Sequence, residues 1–519
     1  MARRFNTVGP CQREQHYILE PKERLPEIPL LVQEGKYFWL HGPRQAGKTT
    51  AMSLLAQDLT AKGKYAAVLV SAAAASVDAY EEVAAEDAFL YELRAAAQQL
   101  PEDLRPPTWD YEVAGQRIRA ALSAWAIACP RPLVIFIDDI ETLDDRPLMS
   151  LLRQLWGGFQ QRGQGFPVSI GLISVRQVND WSLPWGRRTS RQEWLTPGSL
   201  FHQMEAASLE LGAFTVEDVA NLYQKHTTDN GQLFTLEAVD RAFELTQGQP
   251  WLVNVLAQQL IATADGQIDS HHVDAAKSKL LQPQRTHIDH LSSRLWESQV
   301  KTTLQPVLMG EVLIDSAAQD VVNVINLGLC RVDAYGGVVV ANPLYEAMIL
   351  RHLSAVTFAS LASVVLQTPA WMNPNGTLNV RAVLETLTTV WQRRGDALMG
   401  SVAYRAIAPY LAIDAFFRRV ASAHGALETV YELPQNRVTL TWRTDAVVVV
   451  IGVRVWRDRA PDPIAAGLSH LGQALTDLPT AQGWLVLVDQ RSERRPDHKR
   501  TTLETGHTTS GKVVSIMRG

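Results

Sequence analysis

The sequence predicts an α/β chain. A parallel sheet carrying a nucleotide loop is followed by a helical lid, a winged-helix-like unit and a second α/β domain. Three observations carry this. "KYFWLHGPRQAGKTTAMSLLAQDL" sets an apolar stretch, a G-x-x-x-x-G-K-T loop and a helix in succession. Further continuous apolar runs alternate with helical stretches, the pattern of a sheet covered on both faces. Far downstream, "DAVVVVIGVRVWRD" (445–458) is an unbroken β-branched run that reads as a strand of another core.

The elements follow in chain order. Tyr37–His41 is the first strand, and Gly42, Pro43, Arg44, Gln45, Ala46, Gly47, Lys48, Thr49 and Thr50 are the expected nucleotide contacts. Gly42 and Gly47 let the backbone curl so that its N–H groups face phosphates; Lys48 reaches the β- and γ-oxygens. Thr49 offers its hydroxyl to Mg²⁺. "YAAVLVS" (65–71) is the next strand. "PLVIFIDDIETL" then delivers Asp138 to the sheet edge as a second Mg²⁺ holder. Asp139 stands where a carboxylate orients the attacking water, one methylene shorter than the usual glutamate; the alternative is that it merely caps a helix. "PVSIGLISVR" (167–176) is a fourth strand, ending in Ser174 and Arg176, which are placed to sense the γ-phosphate. Asp139 and Arg176 are therefore the catalytic candidates. "WGRRTSRQEW" offers Arg187, Arg188 and Arg191 either as fingers for a neighbouring subunit or as a solvated loop. "LTQGQPWLVNVLAQQL" (245–260) opens a lid helix with Gly-x-Pro.

Composition bounds the rest. A chain of 519 residues exceeds one core and suggests roughly three or four domains. With 46% apolar and 20% charged residues it is ordinary globular protein, and a net charge of −5 gives no general reason to expect nucleic acid. Cys11, Cys129 and Cys330 are too few and too scattered for a disulfide framework or a zinc site, which fits a reducing cytoplasm. The N-terminus "MARRFNTVGPCQREQ" lacks the apolar stretch of a secretory signal, and no run approaches the roughly 20 apolar residues of a membrane span. Expected ligands are ATP or ADP with Mg²⁺.

"FNTVGPCQREQHYILEPKERL", "GPRQAGKTT", "SLLRQLWGGF", "LGAFTVEDVANLY" and "TQGQPWLVNVLA" together resemble a bacterial family of AAA-like ATPases. That family lies close to the signalling (STAND) branch of P-loop proteins, and many members carry a C-terminal PD-(D/E)XK nuclease-type domain. The likeness continues through "VINLGLCRVDAYGGVVVANPLYEAMILRHL" and "YRAIAPYLAIDAFFRRVASAHGALETVYELPQNRVTL" to "GWLVLVDQR". It implies an ASCE/AAA-like core and a restriction-endonuclease-like final domain.

Within the middle module, "CRVDAYGGVVVANP" reads as a hairpin turning at Gly-Gly. The helix before it, "DSAAQDVVNVINLG", has two aspartates and no basic residue. Because phosphate contacts dominate DNA affinity, this unit is expected to pack or relay, with DNA reading left open. In the last module, a working nuclease needs an aspartate on one strand and Glu-x-Lys on the next. The resemblance puts Thr439 at the aspartate, Gly452 at the glutamate, Arg454 at the lysine and His470 at a usual glutamine. Asp445, seven residues before Gly452, lies some 20 Å along an extended strand and reads as a turn residue. Residues 436–519 hold 12 Lys/Arg against 8 Asp/Glu, so an emptied nuclease fold here could hold nucleic acid or serve as a protein-contact surface.

The expected divisions are an N-terminal segment (1–19), an ATPase core (20–225), a lid (226–284) and a winged-helix-like domain (285–355). A bridge (356–379), a degenerate nuclease-like domain (380–490) and a polar, flexible tail (491–519) complete the chain. The function expected is a cytoplasmic regulatory ATPase, a molecular switch whose nuclease-like domain is inactive and binds nucleic acid or protein, in a bacterial defence or mobile-element setting. Expected partners are ATP, a second copy of the chain, nucleic acid and a protein of unknown identity, with no membrane. Two alternatives stay open: an ATP-dependent nucleic-acid enzyme with residual nuclease activity, and a nucleotide-stabilised scaffold without turnover.

Overall fold

The computed structural model describes residues 3–76, 82–109, 113–177, 204, 207–264, 266–281, 293–313, 318–361, 371, 373, 378–401, 404–422, 424–492 and 501–519. The chain divides into two compact units. One comprises Met1–Gln282 with Ile325–Leu329; the other comprises Pro283–Val324 with Cys330–Gly519.

The first unit is built on a five-stranded sheet of β1 (Phe38–His41), β2 (Ala66–Ser71), β3 (Leu133–Asp138), β4 (Ser169–Ser174) and β5 (Ala207–Glu210), in the order β2-β3-β4-β1-β5. Every pairing is parallel. The four strands read from sequence are the buried ones: β1, β3 and β4 are buried at every position, which is why their apolar runs are continuous. β5, "ASLE", was not expected; it is an edge strand with a half-exposed pattern and no apolar run. Helices pack two separate apolar clusters against the sheet. One gathers Trp39, Ile135, Ile137 and Trp125; the other gathers Phe38, Phe136, Met52 and Leu55 of the helix Lys48–Ala61.

Four lid helices follow: Val216–Asn230, Leu236–Thr246, Pro250–Ile261 and Ser270–Leu280. The expected core–lid boundary at 225/226 falls inside the first of them. Thr215 and Asp218 close it with a capping box, and Gly231 ends it in the left-handed region. The N-terminal segment is tied to these helices. Trp251 Nε1 donates to the Thr7 carbonyl (3.0 Å), Gln258 Nε2 to that of Phe5 (2.7 Å) and Lys225 Nζ to that of Ile18 (2.6 Å). Phe5 and Tyr17, both fully buried, stack among Tyr223 and His226.

In the second unit, β6 (Cys330–Val332) and β7 (Val338–Val340) form the expected hairpin, its turn held by Asp333 Oδ1 accepting from the N–H groups of Tyr335 and Gly337. A six-stranded sheet follows, of order β12-β13-β11-β10-β9-β8, with β8 (Ala426–Glu432), β9 (Arg437–Arg443), β10 (Val448–Trp456), β11 (Gln482–Asp489), β12 (Thr502–His507) and β13 (Val513–Arg518). The helix Ala408–Ala421 packs against β8, β9 and β10, and the helix Ile464–Asp477 packs against β10 and β11. β10 is thus covered on both sides, which explains its unbroken apolar run. Residues 491–519 were expected as a flexible tail; for Thr502–His507 and Val513–Arg518 this is corrected, since β13 pairs in parallel with β11 and β12 closes the sheet edge. "VVSIMR" does alternate, but its polar flanks hid the strand. Among the described residues, no helix is long and apolar enough to cross a membrane.

Candidate nucleotide site

The C-terminal ends of parallel strands are where an α/β sheet receives ligands, and here they gather the expected residues. β1 hands the chain to a loop whose Gly42, Gln45 and Gly47 all have positive φ, +156°, +63° and +94°. At Gly42 a Cβ would lie 2.4 Å from the Leu211 carbonyl oxygen, so the close passage of two backbones requires glycine. The helix Lys48–Ala61 starts directly after Gly47.

Lys48 is buried, and its ammonium donates to the carbonyls of Gly42 (2.7 Å) and Pro43 (3.0 Å) of its own loop. Burial lowers its pKa, a drop opposed by the carboxylates of Glu141, Asp138 and Asp139. Thr49 Oγ1 donates to Asp138 Oδ2 at 2.6 Å, bringing together the two oxygens expected to hold Mg²⁺. They are hard oxygen donors, the chemistry that this cation takes. Burial, reinforced by Asp139, pushes the Asp138 carboxyl up to about 6. The Asp139 backbone N–H donates to Asp138 Oδ1 (2.9 Å) and fixes the carboxylate's orientation.

Asp139 sits at φ +58° and its Oδ2 accepts from Ser71 Oγ at 2.8 Å. Glu141, two residues on in a short 3₁₀ turn, was not singled out from sequence. Its Oε2 is buried and has no hydrogen-bond partner among the described residues. Ser174 is fully buried beside His41 of β1, and its hydroxyl accepts from the Arg176 N–H (3.1 Å). The Arg176 carbonyl accepts from Trp39 Nε1 (2.9 Å). Arg187, Arg188 and Arg191 lie outside the described residues.

Two further groups brace the loop, and neither has a local sequence signal. Arg24 donates to the carbonyls of Ala46 (3.1 Å) and Gly212 (2.6 Å) and lies 4.6 Å above the Phe214 ring; burial lowers its pKa to about 10. From the lid, Gln249 Nε2 reaches Gln45 Oε1 (3.3 Å). The Arg44 N–H donates to the Asn326 carbonyl (3.4 Å), in the short segment 325–329 that belongs to this unit.

Beside the loop is a cavity of about 70 Å³, floored by Gly47 and Thr50 and walled by Ile18, Leu19, Phe214 and Leu222. N-terminal segment, core helix and lid each contribute to it. Its lining is mostly apolar with a few polar side chains, Tyr17, Arg24, Thr50 and Asn254, the character common to small-molecule recesses. Cys11 also lines it; burial raises its thiol pKa, and its N–H donates to Thr50 Oγ1 (3.2 Å).

In the second unit, the positions compared with a nuclease site do meet. Thr439 of β9 is the direct partner of Gly452 on β10. Thr439 Oγ1 is buried with no hydrogen-bond partner among the described residues, and Arg454, two residues along from Gly452, donates to the Gln435 carbonyl at 3.4 Å. Arg437 is engaged by Glu432. His470 lies in the helix Ile464–Asp477, and burial together with Arg437 and Arg454 lowers its pKa. Asp445 lies in the exposed bend between β9 and β10.

No family profile and no curated protein matches the chain. Among solved structures, the Walker-type ATPase PaBY2304 of Pyrococcus abyssi is similar over 66% of this chain and 99% of its own, at 12% identity and a TM-score of 0.45. The Thermotoga maritima RuvB Holliday junction branch migration motor is similar over 63% of this chain and 93% of its own, at 15% identity and a TM-score of 0.33. The Aeropyrum pernix ORC1 protein, solved in complex with DNA, is similar over 64% and 93%, at 15% and 0.34. It is the chain's own parallel sheet, with the glycine loop after β1 and Asp138 closing β3, that makes this unit a P-loop ATPase fold.

Proposed function

We propose that the chain is a regulatory ATPase, an AAA-like molecular switch of the signalling (STAND) type, with a nuclease-like domain that does not cut. Residues 42–50 hold the phosphates of ATP or ADP, and Thr49 and Asp138 hold Mg²⁺, which when bound neutralises charge on the β- and γ-oxygens. The observation carrying this is the joined set of Lys48, Thr49 and Asp138 at the sheet edge. Lys48 exchanges two loop carbonyls for phosphate oxygens, which relieves the burial of a cation whose hydrogen bonds go to neutral carbonyls. Water is oriented by a carboxylate beside Lys48, and Arg176 lies at the end of β4 as the γ-phosphate sensor.

The nuclease-like domain is read as a binding module for nucleic acid or protein, in a bacterial defence or mobile-element system, with the switch acting in homo-oligomers, as the resemblance implies. Thr439 and Gly452 offer no carboxylate where they face each other, which supports the loss of cutting.

Lys48→Ala tests the site: ATP binding measured by calorimetry should fall beyond detection while the circular dichroism spectrum is unchanged. A folded mutant with undiminished affinity would remove the proposal.

A further inference from the structure

The cavity beside the loop contains an acceptor without a donor. Asn254, on the lid helix Pro250–Ile261, lines the cavity and is only 7% exposed. Its Nδ2 donates to the Pro250 carbonyl at 2.8 Å, and its Oδ1 is buried with no hydrogen-bond partner among the described residues. The amide cannot be turned round: a flip would set Oδ1 against the Pro250 carbonyl, two acceptors face to face. The unfilled position is thus fixed as an acceptor.

A buried amide oxygen without a partner is costly, and few such groups persist in folded proteins. Here the surroundings are mostly apolar, Arg24 is committed to the Ala46 and Gly212 carbonyls and Tyr17 to Asn230, and the floor is the end of the phosphate loop. A heterocycle entering this recess from a phosphate chain on that loop brings ring edges, and only an N–H of that edge satisfies Oδ1.

We propose that Asn254 is the residue that selects the base: its Oδ1 accepts a hydrogen bond from the exocyclic amine of adenine and excludes guanine, whose 6-oxo group would meet it as a second acceptor. This rests on the reading of the loop as a nucleotide site and adds its specificity. It also ties base recognition to the lid. Asn254 sits one helical turn after Pro250, and the same helix start places Gln249 against Gln45 of the loop. A base bonded to Asn254 therefore links the lid helix to the nucleotide at one end and to the phosphate loop at the other.

The test compares ATP, purine riboside triphosphate (adenine's ring without the 6-amino group) and GTP by calorimetry on the unmodified chain, with Lys48→Ala as the control for the loop. The amine should be worth about tenfold in affinity, the scale of one hydrogen bond to an otherwise unpaired buried group. GTP should bind at least about thirtyfold more weakly than ATP, because two acceptors face each other. In Asn254→Leu, of similar volume, purine riboside triphosphate should keep its affinity and ATP should fall to the same value. Equal binding of ATP and purine riboside triphosphate to the unmodified chain, with binding still lost in Lys48→Ala, overturns the role of Asn254 and leaves the nucleotide site standing. Absence of binding by every triphosphate, or binding indifferent to Lys48→Ala, overturns the nucleotide site itself and this proposal with it.

Discussion

At the scale of single residues, the site contains two carboxylates that compete for one role. Asp139, adjacent to the proposed Mg²⁺ holder Asp138, has one oxygen accepting from Ser71 and a backbone N–H committed to Asp138. Glu141 has a buried oxygen with nothing to accept from, and it ranks first among the carboxylates acting on Lys48. A group that must accept a proton or orient water needs a free lone pair. Glu141→Gln should accordingly lower kcat by about 10²-fold or more, the scale of a lost general base, with ATP affinity kept. Asp139→Asn should lower it less, through the disturbed seat of Asp138. Single-turnover hydrolysis with both mutants decides the assignment; the reverse ranking would restore Asp139. Asp138 itself gives a pH signature. Its carboxyl titrates near 6 in the folded chain, above the ordinary 3.8, so folding favours the protonated form. The stability it contributes is present at low pH and is lost as pH rises through about 6, a cost of about 3 kcal/mol at neutrality on ~1.4 kcal/mol per unit. In the absence of nucleotide and metal, Asp138→Asn should therefore gain stability over the parent as pH goes from 5 to 7.5. Urea unfolding at both pH values measures that difference.

At the scale of elements, the lid is held to the core by a backbone meeting. The Phe214 N–H donates to the Gly248 carbonyl at 2.8 Å, and Gly248 has φ +69°. A Cβ there would lie 1.9 Å from the Phe214 oxygen. Gly248→Ala should cost about 2–6 kcal/mol, adding left-handed strain of ~1–3 kcal/mol to overpacking of ~1–3 kcal/mol. Gly231, at φ +75° with open space around it, is the control: its alanine variant should lose only the backbone part. Chemical denaturation of both variants checks the contrast, and equal losses would mean that the meeting at Phe214 bears no strain. The same elements show what the sequence displayed and what it hid. β1 to β4 and β10 were legible because they are covered on both faces and need continuous apolar residues. β5 and β12 were not, being edge strands whose exposed side chains follow no apolar rule. In the candidate site, the meeting of the loop, Lys48, Thr49 and Asp138 was legible because their spacing follows a known loop pattern. Arg24, Glu141 and Asn254 were not, since each acts through neighbours supplied by other parts of the chain.

At the scale of the whole molecule, one unit carries the proposed nucleotide site and the other a sheet with no carboxylate at Thr439 or Gly452. The contrast is chemical. In the first unit a hydroxyl and a carboxylate meet at 2.6 Å, at the place proposed for a divalent cation. In the second, Thr439 opposes Gly452 in the ladder. Arg454, two residues along β10 from Gly452, adds a positive charge, and a guanidinium repels a divalent cation. With Mg²⁺ or Mn²⁺ present, the intact protein should therefore leave single- and double-stranded DNA and RNA uncut, with or without ATP. Thr439→Asp, Gly452→Glu and Arg454→Lys together should recover metal binding in calorimetry, while destabilising the metal-free sheet by burying two carboxylates side by side. The first atom of the new side chain fits at Gly452, where a Cβ meets Leu485 Cδ1 at 3.6 Å and the Trp484 carbonyl oxygen at 4.0 Å, both ordinary contacts. Cleavage by the unmodified protein that survives Lys48→Ala and disappears when Asp445 is replaced would refute this. It would mean that the exposed bend between β9 and β10, rather than the Thr439–Gly452 row, holds the metal, and the second unit would then have to be counted as an enzyme.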